Sequence, residues 1–375
     1  MKYTTYRKWI GVSILVTTLG VAAVAFAGPP QQAKQNIVLA DQGSFLVGGT
    51  FVTNPGVFNP VTPTTDGQTI HGDAAYVQFQ IPPNARNLPL VMWHGGGQFS
   101  KTWETTPDGR DGFQNIFVRQ GYSTYIFDQP HRGRSGRSTT NGNAINAVPG
   151  PTTTGEQGIF VRFRIGIWPN YYPGVQFSTD PDALVQWWLQ QTPDTAPTPN
   201  NVAVAAVSAL YDKIGPAVLL THSASGILGW LTGAANEKVK AIYSYEPVQC
   251  AFPIGEVPPP VPTSGGAVTG LGIPPADFEK LVKIPVAIIY GDNIPSDQSP
   301  NGNLDLWRGR MALCKQMVAT LKAHGGDATF VHLPEIGITG NTHFPMSDLN
   351  NATIGSLLSD WLRAKGLDKR GQGNT

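Results

Sequence analysis

The run Val218-Leu219-Leu220-Thr221-His222-Ser223-Ala224-Ser225-Gly226 is an apolar strand that stops at a serine flanked by small residues and opens into a helix. A turn of that shape pushes its serine out on a strained backbone, and the positions two before and two after must be small for strand and helix to pass closely. This is the form of a nucleophile elbow, although Thr221 and Ser225 stand where the usual G-x-S-x-G pattern has glycine. The plainer reading of the same run is a serine-rich N-cap after a buried strand. A hydroxyl attacks only when a base takes its proton, an acid orients the base and donors await the developing oxyanion. Ser223 therefore calls for three further features.

Donors are expected at Trp93-His94-Gly95-Gly96-Gly97, where the third strand ends and backbone without side chains can approach a ligand. An amide of Gly96 or Gly97 would join the amide of Ala224, which opens the helix after the serine. The base comes from His71, His94, His131, His222, His324, His332 or His343. His222 adjoins the serine and is expected to point away, His332 falls within the last strand, and His94 belongs to the glycine run. His343, in Gly340-Asn341-Thr342-His343-Phe344-Pro345, lies in the loop between the last strand and the last helix and is the candidate. For the acid there are two positions, Glu246 in Tyr245-Glu246-Pro247 after the sixth strand and Asp292 in Tyr290-Gly291-Asp292 after the seventh. Both keep the order serine, acid, histidine, and spacing leaves both open. A carboxylate partner would place the titration of His343 at about 6 to 7.5.

These residues need strands to carry them. Residues 44–55 and 74–82 alternate as a half-buried antiparallel pair does. Leu88 to Trp93, Ser123 to Phe127, Ala217 to Leu220, Val239 to Tyr245, Pro285 to Tyr290 and Ala328 to Leu333 are short apolar runs without alternation. Helical patterns follow at about 111–120, 225–236, 304–324 and 348–365. Such a chain builds a mostly parallel eight-stranded sheet with helices on both faces, an α/β fold. Two stretches break the rhythm, about 131–199, rich in aromatics, and about 248–280, rich in proline. Both follow the carboxyl ends of strands, the edge where open sheets bind ligands, and read as caps over a pocket. The basic turn His131-Arg132-Gly133-Arg134-Ser135-Gly136-Arg137 reads as the start of the first cap.

From about 44 to 365 this order resembles the α/β-hydrolase superfamily. His94-Gly95-Gly96-Gly97 followed by Thr102-Trp103-Glu104-Thr105-Thr106-Pro107-Asp108-Gly109-Arg110, with Thr221-His222-Ser223 and Tyr245-Glu246-Pro247, resembles a narrower group of secreted bacterial carboxylesterases. That group has a glutamate acid after strand six and an elbow without the usual glycines. The resemblance implies that Ser223 attacks, that Glu246 orients His343, that Gly96 or Gly97 with Ala224 holds the oxyanion, and that Trp103 walls the acyl site. The aromatic and proline-rich caps, with Trp168 and Tyr171, suggest an enclosed apolar pocket for small or medium neutral esters. Alternatives on the same triad are a lactonase, an amidase or a carbon–carbon bond hydrolase. The rival of another class is a catalytically silent binding protein.

The chain has 375 residues and a formal net charge of +1. Its first residues carry Lys2, Arg7 and Lys8, an uncharged stretch from Trp9 to Phe26, and Ala25-Phe26-Ala27. This reads as a signal peptide over 1–27, followed by a linker over 28–43, a hydrolase domain over 44–368 and a flexible tail over 369–375. The protein is expected to be secreted or periplasmic, free of the membrane once cleaved. Export exposes Cys250 and Cys314 to an oxidising compartment, where a disulfide between them is expected. Balanced charge gives no case for nucleic acid, and no metal-ligand spacing or dinucleotide fingerprint points to a cofactor. Association with further copies of the chain is allowed but not signalled.

Overall fold

The computed structural model describes residues 36–62, 64–139 and 155–370. The expected signal peptide, residues 28–35 of the linker, residue 63, residues 140–154 of the first insertion and residues 371–375 lie outside the described residues. Eight strands form one sheet: β1 (Asp41–Thr53), β2 (Thr69–Ile81), β3 (Leu90–Trp93), β4 (Thr124–Asp128), β5 (Ala217–His222), β6 (Val239–Tyr245), β7 (Val286–Tyr290) and β8 (Ala328–His332). Their spatial order is β1-β2-β4-β3-β5-β6-β7-β8. The alternating pair β1 and β2 runs antiparallel, β2 is antiparallel to β4, and every later pairing is parallel.

Side chains alternate across a strand, so a strand that is apolar at every position must be covered on both faces. That is how the short runs are used. Val91, Trp93, Leu219, Ile242 and Ile288 enter one core with Leu210 of α4 (Asn200–Ile214), Trp230 of α5 (Ser225–Ala235), Leu281 of α6 (Pro275–Val282) and Met317 of α7 (Gly302–Ala323). Leu90, Met92, Leu220, Tyr243 and Ile289 enter a second core with Phe113 and Phe117 of α1 (Phe113–Arg119) and Ile354 and Leu358 of α8 (Asn351–Ala364).

The first insertion contributes α2 (Glu156–Arg162), α3 (Pro181–Leu189) and a two-stranded hairpin, Gly166–Ile167 with Asn170–Tyr171. In the second, Ala251–Pro253 pairs in parallel with Leu271–Ile273, and Cys250, Ala251, Phe252, Val268 and Ile273 join the first core. Much of that segment is therefore scaffold. A disulfide joins Cys250 to Cys314 of α7.

Two expected boundaries shift. β1 begins at Asp41, inside the expected linker. The expected tail is anchored at its start, because Arg370 bridges to Arg86 and the Lys369 carbonyl accepts from the Asn87 N–H at 2.9 Å.

Candidate active site

Ser223 follows directly on β5, 7% exposed, with φ at +57°. Left-handed backbone is costly for a residue with a Cβ, so the turn must be held from outside. The Ser223 N–H donates to the Tyr245 carbonyl at 2.9 Å, and its own carbonyl accepts from Gly226 at 3.0 Å and Val248 at 3.2 Å. The two departures from the glycine pattern are absorbed locally. Thr221 Oγ1 donates to Ser244 Oγ at 2.8 Å, and Ser225 Oγ accepts from the His222 N–H at 3.0 Å. The need for a missing side chain has moved one residue on, to Gly226, where a Cβ would sit 2.6 Å from that of Pro247.

The glycine run lies against this turn. A Cβ on Gly95 would come within 2.7 Å of His222 Nδ1, and one on Gly96 within 3.4 Å of the Ala224 Cβ. Gly96 and Gly97 are exposed, whereas Gly95 and Ser223 are buried. Two candidate donor segments thus meet beside the serine, with open space on the side of Gly96 and Gly97.

His343 is fully buried, with Nδ1 3.1 Å from Glu246 Oε2. Its Nε2 is buried and has no hydrogen-bond partner among the described residues. The other acid candidate is engaged elsewhere, since Asp292 accepts from the Gly340 N–H at 2.6 Å and the Asn293 N–H at 2.6 Å. The structure therefore brings Glu246 to His343 and gives Asp292 to the loop that carries it.

Electrostatics oppose the expected titration range. Burial pushes His343 down to about 4; the Glu246 carboxylate pulls it upward, while Arg164 and Arg310 add to the lowering. Burial alone would push Glu246 up, but Arg164 and His343 hold it at about 2. The expectation of 6 to 7.5 took the carboxylate into account and missed burial and the two arginines.

His222 does not point away. Its ring centroid is 4.6 Å from that of His343, and its Nε2 lies 2.7 Å from the His343 carbonyl oxygen. Burial first, and then the neighbouring His343, push His222 well below its ordinary range, so it is neutral and donates from Nε2.

The aromatic pocket also differs from expectation. Trp103 is wholly buried at 5.9 Å from Phe113, Trp168 is 41% exposed at the hairpin turn, and Tyr171 is half-buried against Phe160. The aromatics around His343 are Phe163 at 4.6 Å, Trp307 at 4.3 Å and Phe344 at 5.2 Å. A cavity of about 300 Å³ opens between residues 101–109 and α3, lined by Lys101, Thr105, Thr106, Gln186 and Gln190 among others, and includes none of Ser223, His343 and Glu246.

An esterase of bacterial origin with a known structure is 32% identical to this chain, over 90% of this chain and 99% of its own, with a TM-score of 0.69. The chain belongs to the α/β-hydrolase family. A fungal "probable secreted lipase" is 29% identical to this hydrolase over 77% of it and 85% of the fungal protein. No protein-family model matches this hydrolase.

Three residues of this hydrolase's site escaped the sequence reading. Phe163 stacks on His343 and accepts its backbone N–H at 3.0 Å. Trp307 of α7 closes another side of the ring. Arg164 is fully buried with Nη2 2.6 Å from Glu246 Oε1. The sequence of the first insertion is rich in aromatics, but nothing in it marks Arg164.

Proposed function

We propose that this hydrolase is a secreted or periplasmic serine carboxylesterase that cleaves small or medium neutral esters through an acyl-enzyme on Ser223. The observation that carries this reading is the contact of His343 Nδ1 with Glu246 Oε2, its Nε2 unpartnered among the described residues, against the ring of His222, the residue just before a serine on a left-handed turn.

In this mechanism neutral His343 takes the Ser223 hydroxyl proton at Nε2 as Oγ adds to the ester carbonyl. Glu246 holds the Nδ1–H and stabilises the imidazolium, keeping the acceptor nitrogen toward the serine. The Ala224 amide and one from Gly96 or Gly97 receive the oxyanion. The imidazolium then gives its proton to the leaving alcohol, and water repeats the sequence to release the acid. The names of the bacterial esterase and the fungal lipase support ester hydrolysis. The largely apolar shell of Phe163, Trp307 and Phe344 supports an uncharged substrate.

A fluorophosphonate probe and p-nitrophenyl esters of increasing chain length test the reading together. Ser223 should be the labelled residue, and Ser223→Ala should fold normally and lose on the order of 10³-fold or more of its turnover. Labelling at Ser225, or undiminished turnover by the alanine variant, sinks it.

A further inference from the structure

We propose that Arg164 is a positioning residue for the acid of this site: reaching in from the first insertion, it fixes one oxygen of Glu246 so that the other faces His343, and its charge keeps the pair as carboxylate and neutral imidazole in acid. The proposal rests on the reading of Ser223, His343 and Glu246 given above.

The division of the carboxylate is the central observation. Glu246 Oε1 takes Arg164 Nη2 at 2.6 Å together with the Gly291 N–H, and Oε2 takes His343 Nδ1 at 3.1 Å. A carboxylate pinned at one oxygen by two donors cannot rotate away from the imidazole. Arg164 is itself held, with Nε donating to the Asp292 carbonyl at 2.7 Å and its guanidinium 5.0 Å from the Trp307 ring centroid. The same indole lies 4.3 Å from His343, so Trp307 fills the space between cation and base.

Two features argue against a purely structural cation. Arg164 Nη1 is buried without a partner among the described residues, so this ion is not arranged for greatest stability. Arg164 also adopts φ +60°, as Glu246 adopts +53° and Ser223 +57°. Seven residues other than glycine have positive φ among the described residues, and three of them belong to this one network.

The other charged and titratable groups near the pair are Arg310 of α7, His222 at the end of β5, Tyr290 of β7 and Asp348 before α8. Asp292 has its side chain occupied by Gly340 and Asn293. All of these stay in place when Arg164 alone is changed. Removing its positive charge makes protonation of both Glu246 and His343 easier, and either event stops catalysis, so the two effects move the acid limb of activity the same way.

The test is kcat/KM against pH for the full enzyme, in quenched p-nitrophenyl ester assays from pH 3.5 to 8, with tryptophan fluorescence recording the fold at each pH. Arg164→Met and Arg164→Gln should shift the acid limb toward neutral by about one pH unit or more and lower the plateau while KM changes little. Arg164→Lys, which keeps charge but cannot span Glu246 and the Asp292 carbonyl, should hold the limb near the wild-type position with a reduced plateau. A lowered plateau with an unmoved limb in Met or Gln would leave only a packing role and overturn the proposal. If neither neutral variant folds, the wild-type limb decides, because a midpoint at 6 or above means that no cation suppresses protonation there. Failure of the esterase reading looks different: wild type would then lack turnover that Ser223→Ala abolishes.

Discussion

His222 donates its Nε2–H to the backbone carbonyl of His343 at 2.7 Å, so the residue just before the candidate nucleophile holds the main chain of the candidate base. The two histidines are 121 positions apart in the chain. Leaving that buried carbonyl unpaired costs about 1–3 kcal/mol. His222→Leu should lower both melting temperature and kcat, the latter by roughly tenfold or more if ~1.4 kcal/mol of alignment is lost. His222→Gln, which can still donate, should recover part of both. Equal activity for Leu and wild type in a simple rate assay would remove His222 from this role.

The pH profile should reflect a base kept neutral into acid. His343 lies at about 4, and only its neutral form accepts the serine proton, so activity should rise with pH through about 4 and be level from about 5 upward. Stability follows the same sign. His343 and His94 are both held at about 4 against an ordinary 6.5, so the unfolded chain binds more protons than the folded one between those values. Falling pH therefore costs ~1.4 kcal/mol per histidine per pH unit across that window, and Asp348, raised by burial to about 7, acts in the opposite sense because the folded chain takes up its proton first. Urea titrations at pH 7 and pH 5 on Asp348→Asn, which removes the opposing group, check it, and a variant equally stable at both contradicts the burial argument.

Glu246→Gln should cut turnover by orders of magnitude, because an amide keeps the shape and misdirects the imidazole proton. Asp292→Asn should keep most turnover and act through the Gly340 loop, where the Asp292 carboxylate accepts a backbone N–H. Side-by-side kcat values decide it. A near-dead Asp292→Asn beside an active Glu246→Gln would move the acid to the end of β7.

The disulfide closes a sequence separation of 64 residues between the second insertion and α7. Replacing both Cys250 and Cys314 with alanine should cost a few kcal/mol, in the range of ~2–4 for a native bridge, with little effect on kcat. Thiol titration of the denatured, unreduced wild type should find no free thiol.

Much of the sheet was legible because its strands are apolar at every position, a pattern that two covered faces require and that names like Leu219 and Leu220 spell out. Helix α4 was passed over although Ala203, Ala206, Val207, Leu210 and Tyr211 recur at helical spacing. Alanine and valine give that stripe low contrast, and a proline-rich stretch precedes it. Ser223 and His343 were legible as candidates because each sits in a short motif at the end of an element, whereas Glu246 stood beside Asp292 until the family resemblance favoured it. Arg164 was not, since its role depends on the path of an irregular insertion. Two residues earlier Arg162 looks identical in sequence, yet it is half-buried and bonds Asn303. The packing of the cap aromatics was not legible for a similar reason, because a two-stranded hairpin turns Trp168 outward and leaves Phe160 in the core.

The first insertion supplies the Phe163 carbonyl that receives the His343 N–H and the Arg164 guanidinium that grips Glu246. It acts as a keystone, for the arch beneath it cannot stand in working form if it is lifted out. Swapping it between relatives as an independent module should fail unless the partners of both contacts travel with it.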